Sequence, residues 1–382
     1  MKREDVRAYI PQFLEVLNET KKICPGDDNN YNIVRRKAFL LKFIILTAPQ
    51  QAIPFSLELI EQPDESYHYV FHWIVNNLVD NNVREAWEPI LRQVFNTDTD
   101  VQLLPVLMKA LDKLQPGWKE TETFESNLNA QLKKIEGKYS EDERWQALEI
   151  VKAVKPSALV PVLEKIVSTP EEADTMKAKA LSELGEISPS DHFDLFVSGL
   201  KSTDMFVRSA CIDGLVNTQK LEAVKYLVRL LRDNDGEIVL AAVSALGKLK
   251  FRKSIRPLVD LPKNSEDTDL VVPIVIKALF SIEPGPPLDK IIQVCEKWRK
   301  KIPIFERWDI LEGFFKVSDP RAMNYLLRIY PTVSEKEKLQ LLRFFIKKND
   351  NRLLPIFREA LKSSDIRMRA YAEAGIFKLS SD

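Results

Sequence analysis

His68 and His72 stand four residues apart in YHYVFHWIV, with Glu65 about one turn earlier. On a helix that spacing brings two imidazoles to one face, where they can share a metal ion. No Glu follows His68, as the HExxH pattern of metal-dependent peptidases requires, and no third ligand is evident. Tyr67, Tyr69, Phe71 and Trp73 surround the pair, so partly buried aromatic packing is the preferred reading and no metal is expected. His192 is the only other histidine, and nothing marks a nucleophile beside it. The 11 glycines never fall within two residues of one another, so no GxGxxG or Walker-type loop can cradle a phosphate. No cofactor is expected.

Basic residues offer a second chemistry. Lys248, Lys250, Arg252, Lys253 and Arg256 place five bases in one short stretch without an acid, a candidate phosphate or nucleic-acid site. Lys177, Arg208, Arg307, Lys338 and Arg369 also recur in register, interrupted by Val239 and Val272. Such a column could form a phosphate ladder or pair with neighbouring turns, and the second reading is preferred. Composition weighs against a dedicated nucleic-acid binder, because Lys+Arg and Asp+Glu are both 56. The charge is segregated, however. Residues 1–200 hold 23 basic and 32 acidic side chains, and residues 201–382 hold 33 and 24. That asymmetry suits an oriented electrostatic partner or a head-to-tail contact.

Aromatic residues offer a third. Residues 298–345 contain nine of the 34 aromatics: Trp298, Phe305, Trp308, Phe314, Phe315, Tyr325, Tyr330, Phe344 and Phe345. On a helix over 304–317, Ile304, Trp308, Leu311 and Phe315 share one face, and Phe305, Ile310, Phe314 and Val317 widen it. Part of this excess serves the core. The remainder is expected to form an apolar strip where a partner helix or extended peptide docks. Trp298, Phe305, Trp308, Phe315 and Phe344, with Arg299 and Arg307, are the candidate residues; Trp308, Phe315 and Phe344 lead.

The elements that position these groups are short helices in a repeat. Leu221–Lys250 reads as two helices broken at Asp233, Asn234, Asp235 and Gly236. Such a pair cannot bury its own apolar faces and needs a similar pair on each side. Leu184, Leu215, Leu246, Leu279, Phe314, Phe345 and Ile376 occupy one register position at steps of 31, 31, 33, 35, 31 and 31 residues. Four residues before each come Ala180, Cys211, Ala242, Val275, Ile310, Leu341 and Ala372, where helices must approach closely. Eleven before come Ala173, Asp204, Asp235, Thr268, Pro303, Ser334 and Asp365, mostly helix-capping types. Ser334 and Glu337 form a capping box.

The stretches DMFVRSACIDGLV (204–216), DGEIVLAAVSALG (235–247) and DIRMRAYAEAGIF (365–377) resemble the HEAT family, particularly its short bacterial repeats. The resemblance is clear over 157–382 and weaker over 1–156. It implies an all-α, right-handed α-solenoid of antiparallel helix pairs, about 10–11 repeats, acting as a non-enzymatic scaffold for a protein partner. Pro303, Phe314 and Phe345 depart from the family pattern. The alternatives are nucleic-acid or phosphate-ligand binding through the basic C-terminal half, or a HEAT-like enzyme. One such group, the alkyl-base DNA glycosylases, builds its site from Trp and Asp. Trp145, Asp142 and Arg144 offer the residue types without a motif match, and nothing points to the bilin site of the HEAT-like phycobilin lyases.

Residues 1–115 read as irregular helical repeats, with helices over 5–22, 32–47, 50–61, 66–80, 84–96 and 100–114. Leu78, Leu111 and Val151 fit the anchor register. Residues 116–156 hold a register slip and a longer helix near 122–137. Regular repeats of about 31 residues fill 157–382, and the whole is expected to be one continuous solenoid. Three scattered cysteines suit a reducing compartment. MKREDVRAYI has no apolar secretory core, and AFLLKFIILTA is too short to span a membrane. A cytoplasmic protein without membrane contact is expected.

Overall fold

The computed structural model describes residues 9–19, 30–61, 70–96, 99–263, 268–282, 285–298, 301–302 and 304–380. Every regular element among them is a helix. The fold is all-α, and the chain divides into two compact units, Met1–Glu172 and Ala173–Asp382. The boundary lies C-terminal to the 116–156 stretch in which the sequence places a register slip.

The first unit holds α1 (Ile10–Glu19), α2 (Asn30–Thr47), α3 (Pro49–Glu61), α4 (Phe71–Asp80), α5 (Trp87–Val94), α6 (Leu104–Leu114), α7 (Glu122–Glu136), α8 (Glu141–Val154) and α9 (Val160–Ser168). Pro49 opens α3 rather than merely breaking the chain, since its missing N–H costs nothing at a first helical position. Leu78, Leu111 and Val151, the register positions read from the sequence, are fully buried. The long helix is present as α7. Thr121 caps it, its hydroxyl accepting from the Phe124 N–H. Gly117, at φ +81°, turns the chain before it, and the buried Trp118 donates its indole N–H to Asp112 Oδ1 at 2.8 Å.

The second unit alternates first and second helices. The second helices are α10 (Asp174–Ile187), α12 (Met205–Asn217), α14 (Gly236–Leu249), α16 (Thr268–Phe280), α18 (Ile304–Lys316), α20 (Glu335–Phe345) and α22 (Ile366–Ser380). Between them run α11 (Phe193–Gly199), α13 (Ala223–Leu230), α15 (Ile255–Asp260), α17 (Leu288–Trp298), α19 (Pro320–Ile329) and α21 (Leu354–Ala360). Each second helix packs on the next. All seven small or apolar residues of the close-approach column, from Ala180 to Ala372, are buried. Six of the seven anchors are buried too, and Ile376 is half-buried. Burying one such aliphatic chain contributes roughly 1.5–3 kcal/mol, so this periodic core holds the repeats together.

The turns are capped as their residue types demand. Asp204 accepts from the Val207 N–H, Asp235 from Glu237 and Asp365 from Arg367. Ser334 and Glu337 complete both halves of a capping box. Ala173 begins α10 without a side-chain cap.

Side-chain size sets how closely successive second helices approach. A Cβ on Gly185 would lie 3.0 Å from Gly214 Cα, and one on Gly247 would lie 2.8 Å from Ala278 Cα. In the same relation further on, Phe280 faces Gly313, and Phe315 stacks on Phe344 with ring centroids 5.0 Å apart. Small pairs let helices close, and an aromatic pair wedges them apart. The bulky Phe314 is absorbed by an edge contact with Phe280 at 5.1 Å.

Candidate protein-binding surfaces

The aromatic segment divides into core and surface. Phe314 and Phe345 are core. Phe344 is 6 % exposed and serves as the wedge under Phe315, so it is not available as an anchor. Trp298, Trp308 and Phe315 are half-buried, each offering part of its ring. The Lys297 and Lys301 ammonium groups lie 4.7 and 5.3 Å from the Trp298 ring centroid. Phe315 lines a groove of about 230 Å³ together with the turns at 317–320 and 348–352 and with Met323 and Leu326. Lys348 Nζ sits 4.5 Å from the Phe315 ring centroid. Asp319 and Asp350 on the rim are each forked by an arginine two residues on, Arg321 and Arg352. Arg299 and the Phe305 side chain lie outside the described residues.

Arg307 corrects its expected role. Its guanidinium lies 3.4 Å from Glu337 Oε2, and Glu337 is itself buried, so the pair ties α18 to α20 instead of facing a partner. The other arginines of the column behave alike. Arg208 Nη1 donates to the carbonyls of Ser202 and Thr203, both at 3.0 Å, while Nη2 reaches Asp235 Oδ2 of the following turn at 3.1 Å. Arg369 Nη1 donates to Ser363 and Ser364 carbonyls. In the first unit Arg144, at the equivalent place before Val151, makes a bidentate pair with Glu172 at 2.9 and 2.7 Å. The arginines of the column are therefore engaged within the fold, Arg208 and Arg369 as turn clamps and Arg307 as a helix tie, rather than set out as a phosphate ladder.

The basic cluster lies at and just past the C-terminal end of α14. Lys248 pairs with Asp213 at 3.5 Å and Arg256 with Asp260 at 3.8 Å. Lys250 caps α14 in the left-handed region, at φ +60°. Arg252 and Lys253 are exposed. Lysines at a helix C-terminus satisfy its carbonyls and dipole, which accounts for Lys248 without a bound phosphate.

One feature escaped the sequence reading. A groove of about 1340 Å³ opens beside the turn at 233–237, floored by Leu231, Val239, Leu240 and Leu261 and edged by Asp260 and Leu270. The signal was present in Val239, one of the two valines that interrupt the basic column.

The chemical candidates do not assemble. His68 and Glu65 lie outside the described residues, and His72 is exposed. Among the described residues no group of three or more His, Cys, Asp or Glu is placed to hold a metal ion. Burial pushes the Cys211 thiol up to about 12, which leaves it without nucleophilic thiolate near neutrality. Arg144 is consumed structurally, while Trp145 faces outward. No helix among the described residues is long and apolar enough to cross a membrane.

Comparison with known proteins agrees with this geometry. No curated protein matches the sequence. Among solved structures, a mutant Kap121p is 15 % identical with a TM-score of 0.56, covering 97 % of this chain and 46 % of that one. Kap95p, whose binding makes the switch loops of RanGDP adopt the GTP-bound conformation, is 10 % identical with a TM-score of 0.59, covering 98 % and 58 %. The chain thus spans about half the length of the solved chains it matches. The family model for HEAT repeats matches residues 171–247 and 194–279. The chain carries HEAT repeats within an all-α solenoid fold.

Proposed function

We propose that this chain is a non-enzymatic scaffold that binds a protein partner along α18 and α20, with Phe315 and Trp308 as contacts and Trp298, at the end of α17, beside them. The observation that carries the reading is the Phe315 groove. An aromatic ring held rigid by its stack on Phe344, half-exposed, and roofed by the Lys348 ammonium suits an apolar side chain from a helix or extended peptide. Pre-stacking removes the rotamer entropy that docking would otherwise cost. The fold is one that engages a protein in Kap95p, which binds RanGDP.

The test is capture of partners from the native host by the wild type and by a Trp308→Ala/Phe315→Ala variant, with Lys225→Ala as a control on the exposed surface of α13. A protein held by wild type and control but lost by the double variant, with helical content unchanged, supports the proposal. Equal capture by all three removes it.

A further inference from the structure

Three turns of the second unit are built alike. The Asp204 N–H donates to Ser202 Oγ at 3.1 Å, Asp235 N–H to Asp233 Oδ1 at 3.0 Å, and Asp365 N–H to Ser363 Oγ at 3.1 Å. In the first and third, an arginine four residues after the capping aspartate closes the turn. Arg208 Nη1 lies 3.0 Å from the carbonyls of Ser202 and Thr203, and Arg369 Nη1 lies 2.7 and 3.1 Å from those of Ser363 and Ser364. In the middle turn the same position is Val239, and the corresponding carbonyls belong to Asp233 and Asn234. That turn is where the groove of about 1340 Å³ opens, and Asp233, Asn234 and Val239 all line it.

We infer that this groove is a vacated arginine socket, which takes an arginine side chain from an extended, otherwise apolar segment of a protein partner. The sister repeats show what the turn accepts: one guanidinium nitrogen on two adjacent carbonyls, with the stem lying along the second helix. Val239 and Leu240 supply an apolar bed for the stem, and Leu231, Leu261 and Leu270 receive the flanking side chains. Charge is complementary. Among the described lining residues Asp233, Asp235, Glu237 and Asp260 are acidic and Arg232 and Arg256 basic. Arg208 already pairs with Asp233 and Asp235 at 3.8 and 3.1 Å and Arg256 with Asp260 at 3.8 Å, so Glu237 is the carboxylate set to meet an incoming guanidinium. A guanidinium can bridge two carbonyls and still reach a carboxylate with its other nitrogen, as Arg208 does with Asp235; an ammonium cannot reproduce that fork. This site lies apart from the Phe315 surface and does not depend on it.

The probe is a blocked peptide, carboxyfluoresceinyl-Gly-Leu-Arg-Leu-Gly-amide, titrated against the full chain with its lysine and citrulline counterparts. The arginine peptide is expected to bind saturably, with lysine weaker and citrulline about tenfold weaker or worse. Val239→Arg fills the socket from within. It is expected to remove binding while melting no lower than the wild type. Leu270→Lys changes a side chain 56 % exposed, so it leaves the core intact while placing a fixed cation on the rim; it too is expected to lose about tenfold or more. If Val239→Arg fails to fold, Leu270→Lys decides. Absence of saturable binding to the wild type, equal binding of arginine and citrulline peptides, or undiminished binding by folded variants overturns the inference.

Discussion

Gly185 of α10 and Gly214 of α12 face each other so closely that a Cβ on the first would lie 3.0 Å from the Cα of the second. The relation recurs along the second unit with changing partners: Gly247 against Ala278, Phe280 against Gly313, Phe315 against Phe344. One pair of register positions therefore tunes the spacing of successive helices. The same substitution pattern turns the later repeats from close-packed helices into a surface that carries a half-exposed aromatic ring.

Glycines in this relation should respond unlike glycines elsewhere. A Cβ at Gly247 would lie 2.8 Å from both Ala278 Cα and Ala278 Cβ, whereas one at Gly236 would meet nothing within 4 Å. Gly247→Val is expected to cost about 2–3 kcal/mol by overpacking. Gly236→Ala is expected to gain up to about 1 kcal/mol from helix propensity. Urea unfolding of the two variants checks this. Equal shifts would show that the close contact at 247 does not govern packing.

Ala242 and Lys248 lie on one helix with opposite exposures. Ala242 is fully buried and Lys248 exposed beside Asp213. Ala242→Arg forces an unpaired charge between helices and is expected to cost more than about 3 kcal/mol. Lys248→Ala is expected to change stability by less than about 0.5 kcal/mol. Thermal melting distinguishes them, and coincident melts would contradict the assigned register.

Acid should reveal the Asp–Arg turns. The hydrogen bond from the Arg367 side chain, then that from its backbone N–H, holds the Asp365 carboxyl down at about 2, and arginines lower Asp319 and Asp350 in the same way. A carboxyl depressed in the folded state stabilises above its unfolded value, about 4, and that contribution fades as pH falls toward the folded value. Asp365→Asn keeps the capping shape without the charge. The gap in melting temperature between it and the wild type is expected at pH 7 and should close between about pH 4 and pH 2. A gap as wide at pH 2 as at pH 7 would show that charge plays no part.

The repeat core was legible because each register position meets the same neighbour in every repeat, so Ala180, Cys211, Ala242 and their equivalents betray one packing rule. Helix α7 was legible from the slip in register that it fills, ending within a residue of its expected place. Exposure within the aromatic segment was not. Phe315 and Phe344 are alike as types, and only the geometry between successive helices puts one at the surface and the other beneath it. Arg307 suggested a partner contact until Glu337 was seen beside it. Trp118 stands in the break QPGW between two helices, which as a sequence suggests a loop, yet its indole packs inward and is satisfied by Asp112. The groove at Val239 is defined by a side chain that is missing, and a pattern of residues present does not display the volume left by one that is not.

The second-helix surface around Trp308 is expected to meet another protein. Site-specific photocrosslinking in the native host tests it most directly, with a benzoylphenylalanine replacing Trp308 in one chain and Lys225 in another. The prediction is a discrete protein adduct from position 308 that is absent from position 225. Adducts that are the same from both positions, or none from position 308, would contradict it.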